Sequence, residues 1–161
     1  MMRVTLAWTG ASGLLYGLRL LDAALAAGAR VDLLVSQTAR IVARQELDLN
    51  LPAAPDDLAA CLRARTPDAV GELHVYGREE WFAPAASGSN PADAMVVCPC
   101  TMGSLAAIAH GLADNLIERA ADVMLKERRP LILVPRETPF SLVHLRNMTQ
   151  LAEAGAIILP A

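Results

Sequence analysis

The stretch LKERRPLILVPRETP, residues 125–139, decides the fold. A charged helix end runs into Pro130, and four apolar residues, 131–134, follow at once. Proline removes a backbone donor and stops a helix. The apolar run between two prolines is too short for a helix and reads as a buried strand. Arg136 and Glu137 come next, held between Pro135 and Pro139 in a turn whose φ angles are restricted. On local grounds the pair is either a surface ion pair on a stiff loop or a charged pair facing a ligand from the end of a sheet.

Outward from this stretch the chain alternates. Strand patterns fall at 3–8, 30–35, 72–76, 94–98, 131–134 and 156–159, and helical patterns at 13–27, 37–45, 102–110, 115–129 and 141–154. Gly28 and Gly155 stand where helix caps belong, and Asp56 is placed to cap a helix reaching about residue 65. This alternation predicts a three-layer α/β fold, flavodoxin- or Rossmann-like, with a parallel sheet and helices on both faces. No repeat or linker divides residues 1–161, so one domain is expected. Residues 77–92, containing PAASGSNP at 84–91, form the one long irregular segment and read as a flexible polar loop.

Composition narrows the function. The net charge of −3, from 17 acidic and 14 basic residues, gives no electrostatic case for nucleic acid. The hydrophobic content of 54% exceeds the usual value of about 45–50%, and part of it is expected to face other subunits. No apolar run approaches the roughly 18 residues of a membrane span, and no leader precedes the first strand. Cys61, Cys98 and Cys100 lack zinc or thioredoxin spacing and read as buried reduced thiols in a cytoplasmic protein. His74, His110 and His144 share no ligand spacing, so no metal site is expected.

In a parallel sheet every strand ends on the same edge, where ligands bind. The strands are followed by Thr9-Gly10-Ala11-Ser12-Gly13, Ser36-Gln37-Thr38, Thr101-Met102-Gly103-Ser104, and the turn with Arg136. Helix N-termini offer unpaired N–H groups, hydroxyls add donors, and glycine admits a phosphate to the backbone. The first loop lacks the dinucleotide pattern G-x-G-x-x-G, and Ser36 stands where an acidic residue would hold a ribose. A mononucleotide such as FMN fits better.

TGASG (9–13), CPCTMGSL (98–105), NLIERAADVMLKERRPLILVPRETP (115–139), HLRNM (144–148) and GAIILPA (155–161) resemble the UbiX-type flavin prenyltransferases over the whole chain. The resemblance implies a metal-independent enzyme. It would move a dimethylallyl group from dimethylallyl monophosphate to N5 and C6 of reduced FMN. It also implies a homo-dodecamer with sites between subunits, and a product passed to a UbiD-type decarboxylase in ubiquinone synthesis or aromatic-acid metabolism. By resemblance Gly10, Ala11, Ser12, Ser36, Thr101, Met102, Gly103, Ser104 and Arg136 hold FMN. Lys126 and Arg119 face the prenyl phosphate, while Ser12, Glu46, Glu137 and Trp81 stand at the reacting centre. The family also has a tyrosine and a basic residue beyond its LPA-like stretch. With the sequence ending at Ala161, the expectation is good FMN binding and a poor hold on the prenyl phosphate. The rival expectations are an FMN-dependent cysteine decarboxylase of the related flavoprotein group and a non-catalytic FMN carrier. Against the first, no P-x-M-N segment is present.

Overall fold

The computed structural model describes residues 1–161. The chain runs β1 (Arg3–Trp8), α1 (Leu14–Ala26), β2 (Arg30–Val35), α2 (Gln37–Leu47), α3 (Pro55–Arg63) and β3 (Glu72–Tyr76). A short 3₁₀ turn (Pro84–Ala86) precedes β4 (Ala94–Cys100), α4 (Met102–Ala109), α5 (Leu116–Lys126), β5 (Leu131–Pro135), α6 (Leu142–Glu153) and β6 (Ile157–Ile158). The strands form one sheet in the order β3-β2-β1-β4-β5-β6, and every pair is parallel. This is the doubly wound order, whose direction reverses between β1 and β4.

Strand alternation sorts the core into two layers. Leu6, Trp8, Val31, Leu33 and Val35 face one side, against Leu14, Leu18, Leu21 and Leu25 of α1, Ala39 and Ala43 of α2, and Leu58 and Leu62 of α3. The α1 leucines recur at helical spacing, and each fully buried one contributes about 1.5–3 kcal/mol. Ala7, Leu34, Met95, Val97, Leu131 and Leu133 face the other side, against α4, α5 and Leu151 of α6. Asp32 is the charged exception. It is fully buried and accepts from Arg3 Nε at 3.0 Å and Arg30 Nε at 3.2 Å. No helix is long and apolar enough to cross a membrane.

Several boundaries differ from the sequence pattern. β4 continues through Pro99 to Cys100 rather than stopping at Cys98. Its register against β5 shifts between Val97 and Cys100, so Cys98 joins one core layer and Cys100 the other. α3 begins at Pro55, which suits a first helical position, and Asp56 lies within the first turn instead of capping it. α5 stops at Lys126, not near 129, with Arg128 at φ 53° turning the chain into β5. The segment 77–92 is fastened along α5. Leu116 N–H donates to Arg78 O at 2.9 Å, and Arg119 Nε donates to Ala86 O at 3.1 Å.

Candidate active site

The reversal between β1 and β4 opens a crevice where their following loops diverge. The first loop is tight because Gly10 has no side chain. A Cβ there would stand 2.5 Å from both Cβ and Oγ1 of Thr38, so loops one and two touch at this point. Gly13 caps α1 at φ 95°, a left-handed conformation that suits glycine, and offers no side chain to the helix end. Glu46, near the end of α2, takes over. Its Oε2 accepts Gly13 N–H at 3.0 Å and its Oε1 accepts the Ser12 hydroxyl in a very short bond. These two donors, helped by the charge of Arg136, hold the Glu46 carboxyl below its ordinary range. A carboxylate at a helix N-terminus is also favoured by the helix dipole.

Ser36 caps α2 by accepting Ala39 N–H at 3.1 Å, with Thr38 Oγ1 also 3.1 Å from its hydroxyl. Thr101 caps α4 by accepting Ser104 N–H at 3.0 Å, and its own hydroxyl donates to Ser104 Oγ at 2.9 Å. The first-turn amides of Gln37, Thr38, Met102 and Gly103 have no helical carbonyl to serve them and remain available to an anion. Ser36, Gln37, Thr38 and Ser104 line a cavity of about 220 Å³, together with Tyr76, Arg78 and the α5 cap Asn115. Beside α1, Ser12, Gly13, Glu46 and Arg136 share an open hollow with Leu15, Tyr16 and Arg19. Glu137 is exposed in the same turn as Arg136, with its carboxylate accepting Thr138 N–H at 3.2 Å.

Gly10, Ala11, Ser12, Ser36, Thr101, Met102, Gly103, Ser104 and Arg136 therefore all fall on the edge where the strands end, with Glu46 and Glu137 beside them. Lys126 does not, and Arg119 is outside the cavity lining. Lys126 ends α5 five residues before β5 starts, so it sits at the opposite edge of the sheet. An eleven-residue helix puts about 16 Å between its ends. There Lys126 pairs with Glu127 beside Gly88. Arg119 lies in the first turns of α5, close to the wall residue Asn115, and its Nη1 donates to Asp122 at 2.7 Å. Trp81 is 45% exposed beyond β3, in a shallow hollow with Phe82 and Glu80.

Sequence reading missed Arg78 and Asn115 as wall residues. An asparagine just before the apolar periodicity of α5 was the available signal. The histidines serve local structure. His144 forms a reciprocal cap with Ser141, and His110 Nδ1 lies 2.8 Å from Ala106 O.

Comparison with known proteins agrees with this fold. The Flavoprotein family matches residues 1–161. A flavin prenyltransferase UbiX of Pseudomonas aeruginosa is 54% identical over 159 residues, covering 99% of this chain and 76% of that protein. One from Methanothermobacter thermautotrophicus is 46% identical over 158 residues, covering 98% and 75%. The crystal structure of AnUbiX (PadA1), in complex with FMN and dimethylallyl pyrophosphate, superposes with a TM-score of 0.85 at 42% identity, covering 99% of this chain and 77% of that one. A dodecameric FMN-dependent UbiX-like decarboxylase from Escherichia coli O157:H7 gives 0.84 at 35% identity, covering 99% and 80%. The FMN-dependent cysteine decarboxylase TvaF, at 20% identity and 0.67, shares the fold.

Proposed function

The chain belongs to the UbiX-type flavin prenyltransferases, and on that premise we propose that it transfers a dimethylallyl group from dimethylallyl monophosphate to N5 and C6 of reduced FMN. The observation that carries the reading is the gathering of three hydroxyl-bearing, helix-capping loops and Arg136 on one edge of the sheet. These residues suit a mononucleotide. Gly10 leaves the backbone bare, the α2 and α4 N-termini present free amides, and Arg136 supplies a fixed positive charge beside Gly13.

Reduced FMN supplies the nucleophilic N5 and the ring carbon C6. The chain's part is to position and to stabilise charge. Loops 10–13, 36–38 and 101–104 hold the flavin and Arg136 orients it. Breaking the allylic C–O bond sends its electron pair to the departing phosphate, where fixed cations and donors stabilise the developing charge. Lys126 and Arg119 are the cations for that task, and the place of Lys126 at the far edge supports action in the site of a neighbouring copy. Trp81, exposed beyond the end of β3, offers a π face to the allylic cation. Ser12, locked to Glu46, and Glu137 at the rim carry the proton traffic, including the proton released from C6 on ring closure.

This reading places the site between subunits of a homo-oligomer, a dodecamer by likeness to the Escherichia coli protein. It places the protein in the cytoplasm and hands its prenylated flavin to a UbiD-type decarboxylase. The test is anaerobic incubation with reduced FMN and dimethylallyl monophosphate, followed by mass spectrometry of the released flavin. A flavin heavier by one C5 unit supports the reading. Bound but unmodified FMN, with the donor intact, refutes it.

A further inference from the structure

We propose that Thr9 is a positioning residue that sets the spacing between the first and third cofactor loops, and so tunes FMN affinity without touching the flavin. Thr9 follows β1 at the point where the sheet reverses direction, and it is 2% exposed. Its hydroxyl donates to Pro99 O at 2.7 Å and accepts Thr101 N–H at 2.8 Å. Its own amide donates to Pro99 O at 3.2 Å. The hydroxyl's proton and an acceptor site are both spent inside the protein.

The bond to Thr101 matters because Thr101 is the cap of α4. Fixing its amide fixes the residue that holds Ser104 N–H at 3.0 Å and Ser104 Oγ at 2.9 Å. Pro99 has no N–H, so at that residue β4 meets Thr9 through its carbonyl alone. Thr9 supplies the link from the other side. One side chain thus ties Gly10–Ser12 on its C-terminal flank to the first turn of α4, across the crevice assigned to the cofactor. Without the hydroxyl, the part-buried Thr101 N–H loses its partner, and the gap between the loops is free to vary.

The inference rests on the flavin reading, and the experiment separates the two. FMN dissociation constants are measured by flavin fluorescence for the wild type, Thr9→Val, which keeps the shape and loses the hydroxyl, and Thr9→Ser, which keeps the hydroxyl. Thr9→Val is expected to bind FMN about ten- to a hundredfold more weakly, with Thr9→Ser within about threefold of wild type. Urea midpoints of the FMN-free proteins serve as the control. Equal FMN affinity for Thr9→Val, even with a lowered midpoint, overturns the inference because the hydroxyl then serves stability alone. Failure of the wild type to bind FMN overturns the flavin reading instead. Should Thr9→Val not fold, amide hydrogen exchange on the wild type decides. Protection of the Thr101 amide comparable to Val96 and Val97 supports the link, and exchange at the rate of an open loop overturns it.

Discussion

Glu46 holds the Ser12 hydroxyl with one carboxylate oxygen and the Gly13 amide with the other, across more than thirty residues of chain. The glycine cap of α1 lacks a side chain, and Glu46 is the replacement. Because both bonds go to the ionised carboxylate, its pKa lies below the ordinary value. A depressed acid contributes above its unfolded pKa and loses that contribution as pH falls through the folded one. Prenyl transfer should therefore keep the Ser12–Glu46 pair intact through neutral pH and weaken only below the usual carboxylate range. Glu46→Gln should slow transfer by roughly tenfold or more and remove that acid limb from the pH–rate profile. An unchanged profile would show that the carboxylate has no part in the reaction.

Lys126 and Arg136 lie at opposite edges of the sheet. A site shared between copies predicts complementation. Lys126→Ala and Arg136→Ala should each lose on the order of a hundredfold in rate as homogeneous proteins. Co-expressed in one cell, they should form mixed assemblies that regain measurable activity, because some sites then combine an intact edge from each copy. No recovery in verified mixed assemblies would place both residues' action within one chain.

Two glycines separate binding from stability. Gly10→Ala puts a methyl 2.5 Å from Thr38 and should weaken FMN binding by about tenfold or more while leaving the fold in place. Gly17→Ala instead drives a methyl to 2.7 Å from Trp8 Nε1 in the core. It should cost about 1–3 kcal/mol in urea unfolding and alter the near-ultraviolet signal of Trp8. The reverse pattern would mean that the two loops and the core were wrongly apportioned.

The cysteines give a further check. Burial pushes the Cys98 thiol up to about 11 and that of Cys100 up to about 12, so both stay protonated and shielded at pH 8. Cys61 is only partly buried. Titration with a chromogenic disulfide should find one thiol in the native protein and three in denaturant.

Much of this was legible in the sequence, for identifiable reasons. Strands 3–8, 30–35 and 72–76 match the structure residue for residue because each is an apolar-rich run bounded by breakers or caps. The rim residues 10–12, 36, 101–104 and 136 were findable because a parallel sheet puts every post-strand loop on one edge. The end of β4 was not, since proline normally closes a strand and only a shift of register carries it to Cys100. The link from Glu46 to Ser12 was invisible to local pattern, because it joins a helix end to a distant loop. The strap at 77–92 looked flexible because its composition is that of a loop. What holds it is hydrogen bonding to α5, from the Leu116 amide to Arg78 O and from the Arg119 side chain to Ala86 O, which composition does not encode. The far-edge position of Lys126 follows from chain order alone, since it stands just before a strand begins.

The proposed chemistry requires the flavin to lie across the crevice between β1 and β4. A crystal structure of the protein soaked with FMN measures this directly. The flavin phosphate and ring are expected against loops 10–13, 36–38 and 101–104, with the Arg136 guanidinium within hydrogen-bonding distance. FMN bound at any place remote from Ser12, Ser36, Ser104 and Arg136 would contradict it.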